Sequence, residues 1–185
     1  MDTDDLARKA ADGDGEAFER LVRLHGDAIF RLALRMTGNG DEAGELARET
    51  FVRAFESMGR YDPDRPFFAW LYTICLNLTR SFLRRKRKGF RLFSRRSGWE
   101  GTDPDEGSPS PEEHLLNSES RRMVQRGLGR LPVDFREALL LRYMEGIPFD
   151  AIAGILGIST GAAKMRVYRG MERLRRELDA MGFER

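Results

Sequence analysis

The chain has 185 residues, which suits one or two small domains, and its hydrophobic content of 41% can supply their cores. Its single cysteine, Cys75, excludes an internal disulfide, and with only two histidines it also excludes a zinc site of the Cys/His type. Neither a secretory leader nor an apolar run of about 20 residues is visible in the sequence. We therefore expect a metal-free protein of the reducing cytoplasm.

Charge is strongly segregated along the chain although the formal net charge is only +2. Residues 1–83 have a net charge of −4, and residues 84–96 carry 8 basic residues and no acidic one. Residues 97–120 carry 7 acidic residues and no basic one, and residues 121–185 have a net charge of +5. This segregation predicts different partners for the two halves of the chain.

The front half, residues 1–88, is predicted to form four helices. The first is expected from Asp4 or Asp5 to about residue 24, and the second from about residue 27 to Met36, ended by Thr37-Gly38-Asn39-Gly40. A third starts near Asp41 and has a helical apolar stripe: Ala47, Phe51, Ala54, Phe55 and Met58. Strand-like alternation is absent from the sequence, so the predicted fold class is all-α.

A loop rich in proline and aspartate, residues 61–66, precedes the fourth predicted helix, which runs from about Pro66 to Lys88. This helix has two apolar stripes. One consists of Phe67, Trp70, Leu71, Ile74 and Leu78, and the other of Phe68, Tyr72, Cys75 and Phe82. Either the helix is central and packs on both sides, or part of the second face, with Asn77, meets unstacked bases.

Residues 98–110 are predicted to be a flexible linker, because they are Gly, Ser, Pro and acidic residues with almost nothing to bury. The basic run before them, which includes Arg84 and Arg85, is either a solvated helix end or a phosphate contact. The aromatic helix beside it favours phosphate. Helices are expected to resume at about Pro111, with a segment that opens at Leu131-Pro132 and ends at Gly146.

The segment from Pro148 to Leu178 has the pattern of a helix-turn-helix. Its first helix carries an apolar stripe, Gly157 interrupts the pattern, and Ser159 is a suitable N-cap for the second helix. That second helix has an apolar face and a basic face, and such a helix can lie in the DNA major groove. The alternative is an antiparallel helical hairpin whose basic face is merely solvated.

No catalytic constellation is recognisable in the sequence. Neither histidine belongs to a motif with a Ser or Cys nucleophile, and the chain has no Walker-type loop or dinucleotide fingerprint. Glu42, Glu45 and Glu49 lie at i, i+3, i+7 spacing, which indicates an exposed acidic helix face and not an acid/base pair. We expect neither an enzyme nor a cofactor.

Two blocks of sequence carry a family resemblance. Residues 41–55, followed by Arg60-Tyr61-Asp62-Pro63 and residues 66–78, closely resemble region two of the extracytoplasmic-function (ECF) sigma factors. Residues 131–142, Glu145-Gly146, Leu156-Gly157-Ile158-Ser159 and residues 161–166 resemble region four. The order and the spacing agree in both halves, and the match covers nearly the whole chain except the linker.

The resemblance implies a bacterial transcription initiation factor with two helical domains. Region two (residues 1–88) is implied to bind the clamp helices of core RNA polymerase and to open the −10 element. Region four (residues 111–185) is implied to dock on the flap of the other large subunit and to read the −35 element. The linker (residues 89–110) would thread the polymerase, and an anti-sigma factor is an implied partner.

The resemblance also assigns roles to individual residues. Those implied to bind the −35 element are Lys164, Met165, Tyr168 and Arg169 at base-facing positions, with Arg166 and Arg173 on phosphates. Those implied at the −10 element and in melting are Tyr61, Asp62, Asp64, Arg65, Phe67, Trp70, Asn77, Arg84 and Arg85. Those implied to bind core polymerase are Glu45, Arg48, Glu49 and Phe51.

Two other classes of protein are compatible with parts of the sequence. A helix-turn-helix repressor or activator would explain the back half, but it needs neither an acidic core-binding helix nor an aromatic melting helix. A helical adaptor that binds only protein would not need the basic recognition face. Co-purification with core RNA polymerase would separate the sigma factor from both alternatives.

Overall fold

A computed structural model describes the backbone of residues 2–97 and 119–183 and the side chains of residues 2–88 and 120–183. Within these ranges the regular structure is helical, as predicted. The helices are α1 (Thr3–Ala11), α2 (Gly15–Thr37), α3 (Gly40–Glu56), α4 (Phe67–Ser97), α5 (Glu119–Arg130), α6 (Val133–Tyr143), α7 (Phe149–Leu156) and α8 (Thr160–Ala180). A single 3-10 turn, Met58–Arg60, follows α3.

The first two helices divide at a different place from the predicted one. α1 ends at Ala11, and α2 continues without a break through the predicted gap at residues 25–26. The chain turns at Gly13, whose φ of +97° lies in the left-handed region that favours glycine. Asp14 then caps α2, since its carboxylate accepts a hydrogen bond from the Ala17 backbone N–H at 3.0 Å. The prediction placed the boundary between residues 24 and 27, whereas the chain turns at Gly13.

Asp4 has a different role from the predicted one of capping the first helix. Its carboxylate accepts a hydrogen bond from the backbone N–H of Phe67 at 2.9 Å. Asp4 therefore satisfies a free N–H at the start of α4, a helix far away in the sequence. Asp2 occupies the N-cap position of α1 and makes no side-chain cap bond there.

The other predicted turns are confirmed. Gly38 ends α2 with a φ of +77°, and Asn39 caps α3 by accepting a hydrogen bond from the Glu42 backbone N–H at 2.9 Å. In the back half Gly157 ends α7 with a φ of +66°. Ser159 caps α8 by accepting a hydrogen bond from the Ala162 backbone N–H at 3.2 Å. The helix-turn-helix is therefore formed by α7 and α8.

α4 runs to Ser97 and so enters the segment predicted as linker. The rest of that segment, residues 98–110, and the predicted start of the second domain at residue 111 lie outside the described residues.

The two halves of the chain pack against each other. α2 contacts α5 and α6, and α4 contacts α7. Polar bonds cross this interface: the Gln125 side-chain amide donates to the Arg35 carbonyl at 3.1 Å, and the Tyr72 hydroxyl donates to Glu145 at 2.6 Å. The buried Arg136 guanidinium donates to the carbonyl of Met36, near the end of α2. The carbonyl end of α2 is thus bonded by side chains of the back half.

Candidate nucleic-acid interface

The exposed face of α8 carries five of the six residues implied to bind the −35 element. Met165 and Tyr168 are 48% and 62% exposed. The remaining exposed residues are Lys164, Arg169 and Arg173. Buried residues on the opposite side of α8, among them Val167, hold the helix against the rest of the back half. This face is accessible in the free chain.

Close contact between α6 and α8 holds this face in place. A Cβ atom at Gly170 would lie 3.2 Å from Cβ of Phe135 and 3.2 Å from a side-chain atom of Leu139. The absence of a side chain at Gly170 therefore lets the two helices approach closely. α6 therefore packs directly against α8 on the side opposite the exposed face.

Arg166 differs from the other five residues. Its side chain is only 28% exposed, and its guanidinium lies 3.7 Å from Asp134 and 3.6 Å from Glu137, both on α6. Its implied role on a phosphate stays a prediction, because these two carboxylates are its partners in the free chain.

A cationic group that the sequence analysis did not single out lies beside the recognition helix. The Arg142 guanidinium stacks over the ring of Phe149 at 4.8 Å, and the Lys164 ammonium lies 5.9 Å from the same ring. Tyr168 contacts this ring as well, with centroids 6.3 Å apart. Arg142 lies in the resembling block, but only the folded structure brings it next to Lys164.

The 61–67 loop is supported by buried aromatic side chains. Phe67 is fully buried and Tyr61 is 6% exposed. Their ring centroids lie 5.8 Å apart, and the Trp70 centroid is 5.3 Å from that of Tyr61. Burial, followed by the charge of Asp4, raises the pKa of Tyr61 to about 12. Its phenol therefore stays protonated and donates to the Arg65 carbonyl at 2.6 Å.

The solvent side of this loop is polar. Asp62, Asp64 and Arg65 are exposed, and the Asp62 carboxylate accepts a hydrogen bond from the Asp64 backbone N–H at 3.1 Å. Of the residues implied at the −10 element, these three can meet a ligand without rearrangement, whereas Tyr61 and Phe67 lie in the core behind them.

Asn77 lies on an exposed part of α4, as do Arg84 and Arg85. The amide oxygen of Asn77 accepts a hydrogen bond from Arg80 at 3.1 Å. Arg80 also binds Glu137 of the back half through two hydrogen bonds of 2.7 Å. The sequence analysis missed Arg80, although its position three residues after Asn77 was a usable signal.

The residues implied to bind polymerase lie on α3. Glu45 and Arg48 are exposed, Glu49 binds Arg53 at 2.8 Å, and Phe51 is partly buried. Two exposed apolar side chains lie on the same helix: Val52 at 39%, which the sequence analysis did not assign, and Phe55 at 62%, which it predicted in the apolar stripe of this helix.

Within the described ranges, no group of three or more His, Cys, Asp or Glu residues could hold a metal ion. No helix in those ranges combines the length and the apolar character that crossing a membrane requires. Burial raises the pKa of the Cys75 thiol to about 11, so this cysteine is a packing residue and not a nucleophile.

Two family profiles match the chain. Residues 21–89 match "Sigma-70 region 2", and residues 121–174 match "Sigma-70, region 4". The first match runs from within α2 to within α4, and the second includes α7 and α8 as far as residue 174. Both predicted blocks thus fall inside the matched ranges.

Whole-chain relatives agree with these profiles. The ECF RNA polymerase sigma factor SigW of Bacillus subtilis is 34% identical, over 90% of this chain and 91% of its own. The RNA polymerase sigma factor CarQ of Myxococcus xanthus is 37% identical, over 94% of this chain and 95% of its own.

Two solved structures have a similar fold. CnrH, a sigma factor of Cupriavidus metallidurans solved with the cytosolic domain of CnrY, has a TM-score of 0.73 and 29% identity, over 97% of this chain and 99% of its own. The sigma factor RpoE of Bartonella quintana, solved with the anti-sigma factor NepR, has a TM-score of 0.68 and 25% identity, over 88% of this chain and 96% of its own.

Proposed function

The chain belongs to the ECF sigma factors of RNA polymerase, and we propose that its two halves divide promoter recognition between two elements of DNA. It is a transcription initiation factor, and such factors are DNA-binding proteins and not catalytic enzymes. The front half, residues 1–88, binds core RNA polymerase and opens the −10 element. The back half, residues 111–185, reads the −35 element, and residues 89–110 connect them.

The observation that carries this proposal is the exposed face of α8, whose opposite side packs closely against α6. In the proposal Arg169 reads a base edge, since a guanidinium can bond a guanine bidentately in the major groove. Arg173 is farther along the helix and suits a phosphate. Lys164 and Tyr168, with Met165, complete the base-facing set, and Arg166 joins Arg173 on the phosphates.

In the front half, Asn77 with the polar side of the 61–67 loop captures a base of the melted strand. The buried Tyr61 and Phe67 hold this loop in position, and Trp70 offers a partly exposed ring edge. Arg84 and Arg85 continue the surface along the DNA backbone. Their positive charge makes this contact dependent on salt.

α3 supplies the polymerase contact. Of the four residues, Glu45 and Arg48 are exposed, while Glu49 and Phe51 are partly buried. An interface of this kind combines charged groups with apolar anchors, as Val52 and Phe55 would provide.

We propose two further features from the relatives. The protein acts in the cytoplasm, where its polymerase is, and it has no enzymatic activity of its own. An anti-sigma factor regulates it, as the solved complex of the relative RpoE with NepR suggests.

The decisive experiment is reconstitution with purified core RNA polymerase. The chain should co-elute with the core enzyme on gel filtration, and the holoenzyme should give run-off transcripts from genomic fragments that core enzyme alone does not transcribe. A Glu45→Lys, Arg48→Glu variant should lose co-elution while keeping its thermal unfolding. Absence of co-elution for the unmodified chain would contradict the proposed function.

A further inference from the structure

One buried carboxylate of α6 is bound by arginines from both DNA-binding helices. The Glu137 side chain is 1% exposed. Arg80 of α4 binds it through two hydrogen bonds of 2.7 Å, and Arg166 of α8 lies 3.6 Å from it. Glu137 therefore joins the −10 helix, the −35 helix and the helix between them.

The position of Arg80 on α4 gives this contact its significance. Thr73, Asn77, Arg80 and Arg84 fall at i, i+4, i+7 and i+11, so they share one stripe of the helix. The Thr73 hydroxyl donates to the Ala69 carbonyl of its own helix at 2.8 Å and lies 3.4 Å from the Ile155 carbonyl of α7, and Arg80 reaches α6. Asn77 lies between these two contacts. A DNA strand that follows this stripe would need the space that α6 and α7 occupy.

The chemistry of the pair resembles that of a DNA contact. Arginine forms the same bidentate, fork-shaped pair with a carboxylate as with a phosphate. Nε and Nη2 of Arg80 each bond a different oxygen of Glu137, which is that geometry. The guanidinium is already oriented for two oxygens of an anion, on the face implied to meet the melted strand.

We propose that Arg80 binds a backbone phosphate of the melted −10 strand, and that Glu137 occupies the place of this phosphate in the free chain. The inference rests on the proposed function. Glu137 is thus an internal competitor of DNA, and the closed arrangement of the two halves keeps Arg80 from binding nucleic acid before polymerase separates them.

The second arginine makes this exchange reversible. Removing the only cationic partner of a buried carboxylate strongly destabilises the folded state. When Arg80 leaves Glu137, Arg166 remains beside the carboxylate within the same half, so Glu137 keeps a cationic partner. Arg80 in turn exchanges one anion for another. Both sides of the contact therefore have a partner in each state.

The test on the free chain compares two variants that break the same pair. Glu137→Gln and Arg80→Ala should both increase the radius of gyration in small-angle scattering. Binding of a fluorescein-labelled single-stranded DNA of mixed sequence should become about tenfold tighter in Glu137→Gln, since a charged competitor is removed. DNA binding should become no tighter in Arg80→Ala, because this variant lacks the guanidinium that binds the phosphate. Equal gains in both variants would show that Arg80 only closes the interface and would overturn the proposal.

The test on the holoenzyme measures the phosphate contact directly. With a pre-melted promoter fragment, Arg80→Ala should lower the slope of log affinity against log salt by about 0.7–0.9, the value for one phosphate. Arg80→Lys should keep the slope. An unchanged slope in Arg80→Ala would overturn the proposal even if Glu137→Gln failed to fold.

The matched control is Asp134→Asn, which makes the same charge change on α6 and removes an ion-pair partner of Arg166, while both hydrogen bonds between Arg80 and Glu137 stay. It should leave the radius of gyration and the single-strand affinity of the free chain unchanged. If it gained as much DNA affinity as Glu137→Gln, general loss of negative charge would explain the result and the proposal would fail. Failure of the proposed function would appear separately, as unmodified chain that does not form an active holoenzyme.

Discussion

The two DNA-binding surfaces of this protein are prepared to different degrees. On α8, five implied contacts are exposed on a helix whose opposite side is packed, so this surface is complete in the free chain. On α4 and the 61–67 loop, Phe67 and Tyr61 are buried, and Arg80 is bound to the back half. The −35 surface thus needs only to approach a duplex, whereas Arg80 of the −10 surface must first leave Glu137 if it is to bind DNA as proposed.

This difference follows from the ligands. A duplex presents its base edges in the groove without deformation, so a rigid helix can read them. A melted strand has to be unpaired before capture, at a cost of a few kcal/mol. A surface that binds such a strand would also bind unrelated single strands if it were always open. Holding Arg80 on Glu137 of the back half would weaken such binding.

Truncating one aromatic side chain in each surface should give the largest contrast. Phe67→Ala should lower the free energy of unfolding by about 3–5 kcal/mol, because a fully buried ring leaves a cavity. Tyr168→Ala should lower it by less than about 1 kcal/mol, since this ring is 62% exposed. Urea unfolding followed by circular dichroism measures both. Similar losses would mean that the two surfaces do not differ in burial as described.

The second contrast lies within α8. Arg169→Ala should cost about 1–3 kcal/mol of binding on the cognate −35 duplex and little on mismatched duplexes, because it removes a base contact. Arg173→Ala should weaken binding to all duplexes alike and lower the salt slope by about one unit. Holoenzyme titrations on both duplex types at several salt concentrations distinguish the two. Equal losses on every duplex for both variants would remove the base-reading role of Arg169.

A smaller effect should come from the cap that starts the recognition helix. Ser159→Ala should lower the free energy of unfolding by about 1 kcal/mol, because the Ala162 N–H loses its acceptor. Ser159→Asp, which supplies an equivalent acceptor, should restore it. Chemical denaturation of the three proteins tests whether this surface depends on local capping, and a stable Ser159→Ala would show that it does not.

Asn77→Ala should change the free energy of unfolding least, by less than about 0.5 kcal/mol, because the Asn77 side chain is exposed. Transcription from duplex promoters should nevertheless slow, because base capture weakens. On a template already mismatched at −10 the defect should shrink without vanishing. Thermal melting beside run-off assays on both templates decides the matter. A destabilised variant with proportionate losses in every assay would show that Asn77 is structural.

Much of this architecture was predictable from local sequence signals. Gly38, Gly157 and Ser159 act on their immediate neighbours, so the turns and caps they form were correctly identified. The basic face of α8 followed from helical periodicity alone. The burial of Phe67 could not be predicted in this way, because an aromatic residue at the start of a helix shows the same sequence pattern whether it faces a core or a base.

Contacts between distant residues were beyond such reasoning. Nothing local to Glu137 shows that it will bind Arg80, and nothing local to Asp4 shows that it will cap α4. The error at the α1–α2 boundary has a similar origin, since Gly13 and Gly26 carry the same local signal. Only the packing of α1 on α2 and α4 decides that the chain turns at Gly13 and that the helix continues through Gly26.

The hydrogen bond from Phe67 to Asp4 spans 63 residues, and this has a consequence for how the protein is made. During synthesis, Asp4 of α1 leaves the ribosome long before Phe67, the residue whose backbone N–H it will cap. Contacts of such separation form late, because the intervening chain must first be ordered. The start of α4, the helix proposed to open the promoter, therefore acquires its cap only after Phe67 has been made. A nascent chain stalled before that point already has its first helix, but it does not yet have α4.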